Sequence, residues 1–201
     1  MWSVHLLVNP GRRPKKQIAA VSGAGGSSIS EMYGAAPGKR RAAMKGAGLV
    51  PAAGGSRRMD GFKPLLKING FPMITMTVQS LRNAGIRDIT VVTGYRGEEV
   101  EKVLEPMGVR IIENRRWQET DMLASVKLGL EAADKKEGVF ILPGDIPLTS
   151  PGTFKKMAEG ISKAKPGTEV LLPGAGGKIL HPPFLFPEGC RKALDYQGSK
   201  G

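Results

Sequence analysis

From residue 48 onward, short apolar runs rich in β-branched residues alternate with longer stretches whose apolar positions recur every three or four residues. Those two periods separate strands from helices. Strands are predicted over residues 48–53, 88–93, 109–112, 139–142 and 169–172, and helices over 72–84, 98–104, 120–133 and 151–160. Punctuation agrees. Pro72 suits a first helical turn, Gly85 stands just past the end of the same helix, and Pro106 stops the short helix before it. In the helix over 120–133, Met122, Val126, Leu130 and Ala133 fall on one face. Such strand–helix alternation predicts an α/β domain built from parallel βαβ units. Open sheets of this kind bind ligands at the carboxyl ends of their strands. The loops after Ala53 and Leu142 lie at such ends and are expected to face each other across a site.

The chain before residue 47 follows neither period. Residues 9–46 are rich in Pro, Gly, Ser, Lys and Arg, and little fixed structure is expected there. The organisation read from this is a disordered basic tail over 1–46 and a folded domain over 47–201. Gly23-Ala24-Gly25-Gly26-Ser27 has the composition of a phosphate loop, but the segment before it is only weakly strand-like, so it is read as flexible. Met44 has the look of a natural start just ahead of the first core strand. Lys39-Arg40-Arg41 is compatible with the codons AAG-AGG-AGG, a ribosome-binding sequence, so residues 1–43 are expected to be an over-extended reading of the gene. At the other end, residues 195–201 are turn-like, and the C-terminal part of the domain is expected to be missing.

Composition narrows the function classes. The 201 residues carry a net charge of +12, which invites a nucleic-acid reading. Its distribution argues otherwise. Seven Lys/Arg against one acid lie within residues 1–43, and the remaining excess is spread along the chain among interleaved acids. No helix there carries a basic stripe, and no aromatics are spaced as a base-stacking platform, so nucleic acid is not the expected partner. No apolar run is long enough to span a bilayer. The start lacks the charged segment and cleavage site of a secretory signal. The single cysteine, Cys190, fits a reducing cytoplasm and is expected to be a packed or surface thiol rather than a nucleophile.

Candidate chemistry concentrates in residues 52–66. Gly54 and Gly55 let backbone N–H groups approach an anion closely. Arg57, Arg58 and Lys63 add positive charge over the same short stretch. The glycine spacing is neither that of a Walker A loop, which ends in Gly-Lys-Ser/Thr, nor GxGxxG, so a dinucleotide cofactor is disfavoured. A polyphosphate is the expected ligand.

Val50-Pro51-Ala52-Ala53-Gly54-Gly55-Ser56-Arg57-Arg58-Met59, followed by Phe62-Lys63-Pro64-Leu65-Leu66, resembles the signature of MobA-like NTP transferases, close to their molybdenum-cofactor cytidylyltransferase branch. The resemblance continues through Asn114 and Trp117, the stretch from Met122 to Gly129, Leu142-Pro143-Gly144-Asp145-Ile146-Pro147-Leu148, and His181-Pro182-Pro183-Phe184-Leu185-Phe186. It implies a Rossmann-like three-layer α/β/α nucleotidyltransferase fold with a mainly parallel sheet. It also implies transfer of a nucleotidyl group from an NTP to a phosphorylated small-molecule acceptor, molybdopterin being the first guess, with release of pyrophosphate. CTP is favoured, because Ala52-Ala53-Gly54 matches the cytidylyl branch better than the guanylyl one. Carried over by position, Pro51, Ala52, Ala53, Gly54, Gly55 and Ser56 wrap base and phosphates. Arg58 and Lys63 neutralise the phosphates, Asp145 ligates Mg²⁺, Ser125 approaches the nucleotide, and His181 contacts base or acceptor.

Four positions depart from the family pattern. Asp60 then Gly61 stand where the family has Gly after Met59. Asp121 replaces Gly before Met122, and Leu180 replaces Gly before His181. The family's second metal-binding acid, in a C-terminal Asp-x-Asp-Thr-like motif, has no counterpart after Phe186. Glu113, Glu119 and Asp121 gather before a helix, where acids at a helix start are the default explanation. Alternatives to the leading reading are a sugar- or alditol-phosphate nucleotidyltransferase, a catalytically weak nucleotide-binding regulatory domain, and an RNA-binding protein that uses the basic tail.

Overall fold

The computed structural model describes residues 44–55, 61–175 and 178–198, together with the backbone of residues 2–7. Ser56, Arg57, Arg58, Met59 and Asp60 lie outside the described residues, as do Gly23–Ser27 and the rest of the basic tail to residue 43.

In chain order the elements are β1 (Trp2–Leu7), β2 (Ala47–Pro51), β3 (Lys67–Ile68), β4 (Phe71–Pro72), α1 (Met73–Asn83), β5 (Ile89–Thr93), α2 (Gly97–Leu104), β6 (Arg110–Glu113), α3 (Met122–Ala132), β7 (Val139–Ile141), α4 (Pro151–Ser162), β8 (Val170–Ala175), β9 (Lys178–Ile179), β10 (Phe184–Leu185) and α5 (Pro187–Asp195). The main sheet has the order β1-β8-β10-β7-β2-β5-β6, with β9 paired to β8. Strands β7, β2, β5 and β6 are parallel. Strand β10 runs antiparallel to both β7 and β8, so β8 points with the parallel set, while β1 opposes it.

Two apolar cores sandwich the sheet, and the alternation of side chains along each strand feeds both. Val50, Val91 and Phe140 point toward Ile74, Val78 and Leu81 of α1, Val100 of α2, and Phe154 and Met157 of α4. Their neighbours Leu49, Val92 and Val139 point the other way, toward Val126 and Leu130 of α3 and Cys190 of α5. Burial on both faces explains why these strands read as continuous apolar runs. The result is the expected three-layer arrangement around a mixed, mostly parallel sheet.

Predicted and observed elements agree to within a few residues for β2, β5–β7 and α1–α4, and β8 starts where expected. Met122 departs from the face predicted for it: Val126, Leu130 and Ala133 are buried, but Met122 is 62% exposed. It sits at the first turn of α3, beyond the reach of the sheet. Trp2–Leu7, expected to share the disorder of the tail, forms β1 in register with Val170–Ala175. Strand β10 and helix α5 were not predicted. Phe184-Leu185 is too short to show a period, yet it slots between β7 and β8 and pairs with both. Among the described residues no helix is long and apolar enough to cross a membrane.

Candidate functional site

Strand order reverses direction between β2 and β7. Chain progression from β2 goes outward to β5 and β6, then returns past β2 to β7. At such a switch point the loops leaving two neighbouring strands splay to opposite faces and open a crevice. The loop after β2 is Ala52-Ala53-Gly54-Gly55, and the loop after β7 is Leu142-Pro143-Gly144-Asp145. Both loops continue the sheet's hydrogen bonding before they diverge. Leu142 N donates to Leu49 O, Gly144 N to Pro51 O, and Ala52 N to Val92 O. A third loop joins them, as Tyr95 N donates to Ala53 O at 3.0 Å.

Two glycines let these loops touch. A Cβ on Gly144 would stand 2.7 Å from Ile74 Cδ1 and 3.0 Å from the Ala52 Cβ. One on Gly94 would fall within 2.9 Å of the Ala53 carbonyl and Cβ, and of the Trp117 Cβ. Each would wedge a neighbouring loop off the Gly54 segment. Gly61 takes φ +115°, a conformation open to glycine.

Across the crevice Lys63 Nζ donates to Asp145 Oδ2 at 3.1 Å, joining residues 82 positions apart. Lys63 begins a 3-10 turn (Lys63–Leu65) whose Pro64 is buried, so the base of its side chain is fixed. Asp145 is held by its own loop and by α1, where the Thr77 hydroxyl hydrogen-bonds to the carbonyl of Gly144. His181 lies within electrostatic reach. Desolvation holds its pKa below the ordinary imidazole value, while the Asp145 carboxylate pulls it up more weakly.

On the other side of the Gly54 segment is a cleft of about 110 Å³, lined by Pro51, Ala53, Gly54, Trp117, Thr120, Asp121, Met122 and Ser125. Its floor is a polar cluster around Asn114, which is buried at the end of β6. The Asn114 amide donates to Ser125 Oγ at 3.1 Å and to Thr120 Oγ1 at 3.0 Å, and its carbonyl accepts from Arg116 N. Its rim is aromatic. Phe62, Tyr95 and Trp117 form a chain of ring contacts at 5.3 and 5.2 Å between centroids, and Gly55 crosses Trp117 so closely that a Cβ there would be 3.3 Å from the ring. Two larger depressions, of about 530 Å³ each, flank α2 and β6. Glu98 and Glu101 line both, a poor lining for a polyphosphate.

The structure thus brings together Pro51, Ala52, Ala53, Gly54, Gly55, Lys63, Asp145 and His181, with Ser125 at the cleft floor. Ser56 and Arg58 lie outside the described residues. The acids before α3 have separate partners: Glu113 pairs with Arg115, Glu119 with Arg116, and Asp121 caps the helix by accepting from Ala124 N. Tyr95 and Thr77 were not singled out from the sequence. The Thr93-Gly94-Tyr95 step just past a strand was the available signal for Tyr95; for Thr77, buried on a helix, there was none. Cys190 is a packed thiol. Burial pushes its pKa up to about 11, and Sγ contacts the carbonyl of Leu185.

Among the described residues no three His, Cys, Asp or Glu side chains gather as a metal cage. Among the described residues the donor beside Lys63 is one carboxylate, Asp145. That set suits a hard divalent cation that takes most of its ligands from phosphate oxygens and water.

The MobA-like NTP transferase domain matches residues 48–201. The bifunctional protein GlmU of Symbiobacterium thermophilum is 33% identical over 144 residues, 66% of this chain and 29% of that protein. The 3-deoxy-manno-octulosonate cytidylyltransferase of Haemophilus ducreyi is 30% identical over 122 residues, 60% of this chain and 47% of that protein. The chain therefore spans less than half the length of these curated relatives. A nucleotidyl transferase from Methanothermobacter thermautotroptrophicus superposes with a TM-score of 0.62 at 28% identity, covering 76% of each chain.

Proposed function

The chain belongs to the MobA-like NTP transferase domain family, and on that premise we propose that it is a Mg²⁺-dependent nucleotidyltransferase. It moves a nucleotidyl group, CMP by preference, from an NTP to a phosphorylated small-molecule acceptor such as molybdopterin, and releases pyrophosphate. The observation that carries this reading is the Lys63–Asp145 contact at 3.1 Å, which sets a cation and a carboxylate at the switch point of the sheet.

Attack on an α-phosphorus by an acceptor phosphate needs no general base, because the nucleophilic oxygen is already ionised. The new bond forms from that oxygen to the α-phosphorus, and the bond to the bridging oxygen of the β-phosphate breaks. Charge neutralisation and alignment are what the protein must supply. Backbone N–H groups of the loop from Ala53 to Ser56 would cradle the phosphates, Ala52 N being already bonded to Val92 O, while Lys63 and Arg58 would neutralise them. Ser125 and the Asn114 cluster hold the wall of the cleft that receives the nucleoside. His181, beside Asp145, stands where an acceptor would enter. Asp145 would hold Mg²⁺, which supplies Lewis-acid stabilisation of charge on the phosphoryl oxygens.

A second reading of the acceptor is favoured by the 3-deoxy-manno-octulosonate cytidylyltransferase relative, whose name points to a sugar acid. With a sugar phosphate the reaction would be the same; a sugar acid would attack through a hydroxyl, whose proton must pass to a base or to solvent as the bond to the α-phosphorus forms and pyrophosphate leaves. We place the protein in the cytoplasm, a reading supported by its single, buried free cysteine. The test is a matrix of CTP, UTP, GTP and ATP against molybdopterin, hexose 1-phosphates, alditol phosphates and 3-deoxy-manno-octulosonate, with Mg²⁺ and a pyrophosphate-release readout. One productive pair identifies the acceptor class. Tight NTP binding with no turnover across the matrix would overturn the enzyme reading in favour of a regulatory domain.

A further inference from the structure

One wall of the cleft beside Gly54 is a carboxylate. Asp121 Oδ1 accepts from Ala124 N at 3.0 Å and so caps α3. An ionised carboxylate has about four acceptor positions, so the cap leaves Oδ2 able to accept from a ligand. No Lys or Arg among the described residues pairs with Asp121, in contrast to Glu113 and Glu119 nearby. The side chain is exposed and borders the same cleft as Pro51, Ala53 and Gly54.

We infer that Asp121 reads the base of the bound nucleotide, accepting a hydrogen bond from an exocyclic amino group and so favouring cytosine over uracil. This rests on the nucleotidyltransferase reading above. The phosphates of an NTP are drawn to the basic end of the loop at Lys63, which meets Asp145 on the β7 side. The nucleoside end then falls on the opposite side of the Gly54 segment, in the cleft. Trp117 and the exposed Met122 line the cleft with apolar surface, beside the polar groups of Thr120, Asp121 and Ser125. Cytosine presents a 4-amino donor where uracil presents a 4-oxo acceptor. A carboxylate pairs with the first, as it does with the same amino group in nucleic-acid recognition, and opposes the second. A uracil bound here would bring two acceptors together and strip both of water.

Asp121→Asn tests the inference without removing the helix cap, because Asn caps as well as Asp. Its amide can also turn an N–H toward a 4-oxo group. The measurement is the dissociation constants of CTP and UTP, with Mg²⁺ and no acceptor, for wild type and D121N, alongside thermal melts showing both folded. Wild type is expected to bind CTP about tenfold more tightly than UTP, the lower end for hydrogen bonds to a charged group. In D121N the ratio should fall to about threefold or less, or invert. Equal binding of the two nucleotides by wild type, or an unchanged ratio in D121N, overturns the inference and leaves the enzyme reading standing. A D121N effect confined to the acceptor's KM also overturns it, by assigning the cleft to the acceptor. Failure of every NTP to bind wild type would instead sink the nucleotidyltransferase reading, and this inference with it.

Discussion

Replacing Asp145 by Asn removes a charge at the end of β7 while keeping the shape of the side chain. The structure says what this should do to stability and to turnover separately. The Lys63 and Asp145 side chains are 34% and 36% exposed, so their ion pair is substantially screened. Such pairs contribute about 0.2–1 kcal/mol, and the Asn carbonyl can still accept from Lys63 Nζ. A turn position after Gly144 also tolerates Asn. The melting temperature should therefore fall by no more than about 4 °C in a chain of this size. Turnover is a different matter. If Asp145 holds the metal against the reacting phosphates, its loss removes charge stabilisation on the order of 4 kcal/mol, a rate loss of about a thousandfold. The assay is pyrophosphate release at saturating NTP and Mg²⁺, with thermal melts of both proteins under the same conditions. D145N retaining more than a tenth of wild-type kcat would refute the placement of Asp145 at the reaction. A variant that melts far lower would assign it a structural role instead.

Three further outcomes are expected. Asn114→Ala deletes donors to Ser125 Oγ and Thr120 Oγ1 and the acceptor of Arg116 N at a buried position, and should cost about 2–4 kcal/mol in urea unfolding; a loss under about 0.5 kcal/mol would show that the cluster is dispensable. The folded pKa of His181 is depressed by burial, so the unfolded chain takes the proton more readily. Its contribution to stability is therefore present above the unfolded value near 6.5 and lost as pH falls through the folded value. An NMR titration of the ring protons should give a midpoint below about 6.5, and lower still in D145N, where the opposing carboxylate is gone; an upward shift in D145N would contradict the geometry. Finally, Cys190, with its thiol pKa pushed up to about 11, should react with a disulfide reagent at pH 8 only as fast as the chain opens. Rapid labelling of the native protein would show that α5 is not packed as described.

Sequence alone carried the repeating part of this protein. Burial on both faces of a parallel sheet demands runs such as Leu49-Val50 and Val91-Val92, and burial on one face of a helix demands the spacing of Val126 and Leu130. Period therefore disclosed β2, β5–β8 and α1–α4. Gly54, Gly55 and Lys63 stood out for a related reason: approach to an anion restricts residue types within a few consecutive positions. Tertiary structure decided whatever depends on residues distant along the chain. Phe184-Leu185 is a strand only because β7 and β8 stand on either side of it. Trp2–Leu7 is a strand only because the edge of β8 is available to pair with it. Asp121 reads in sequence as a helix-start charge, and it does cap α3. That it also borders the cleft of Gly54, some seventy positions earlier, follows from the return of the chain past β2. The Lys63–Asp145 contact spans 82 positions in the same way. Local periodicity is written in neighbouring residues, whereas a site at a switch point exists only once distant strands have chosen their order in the sheet.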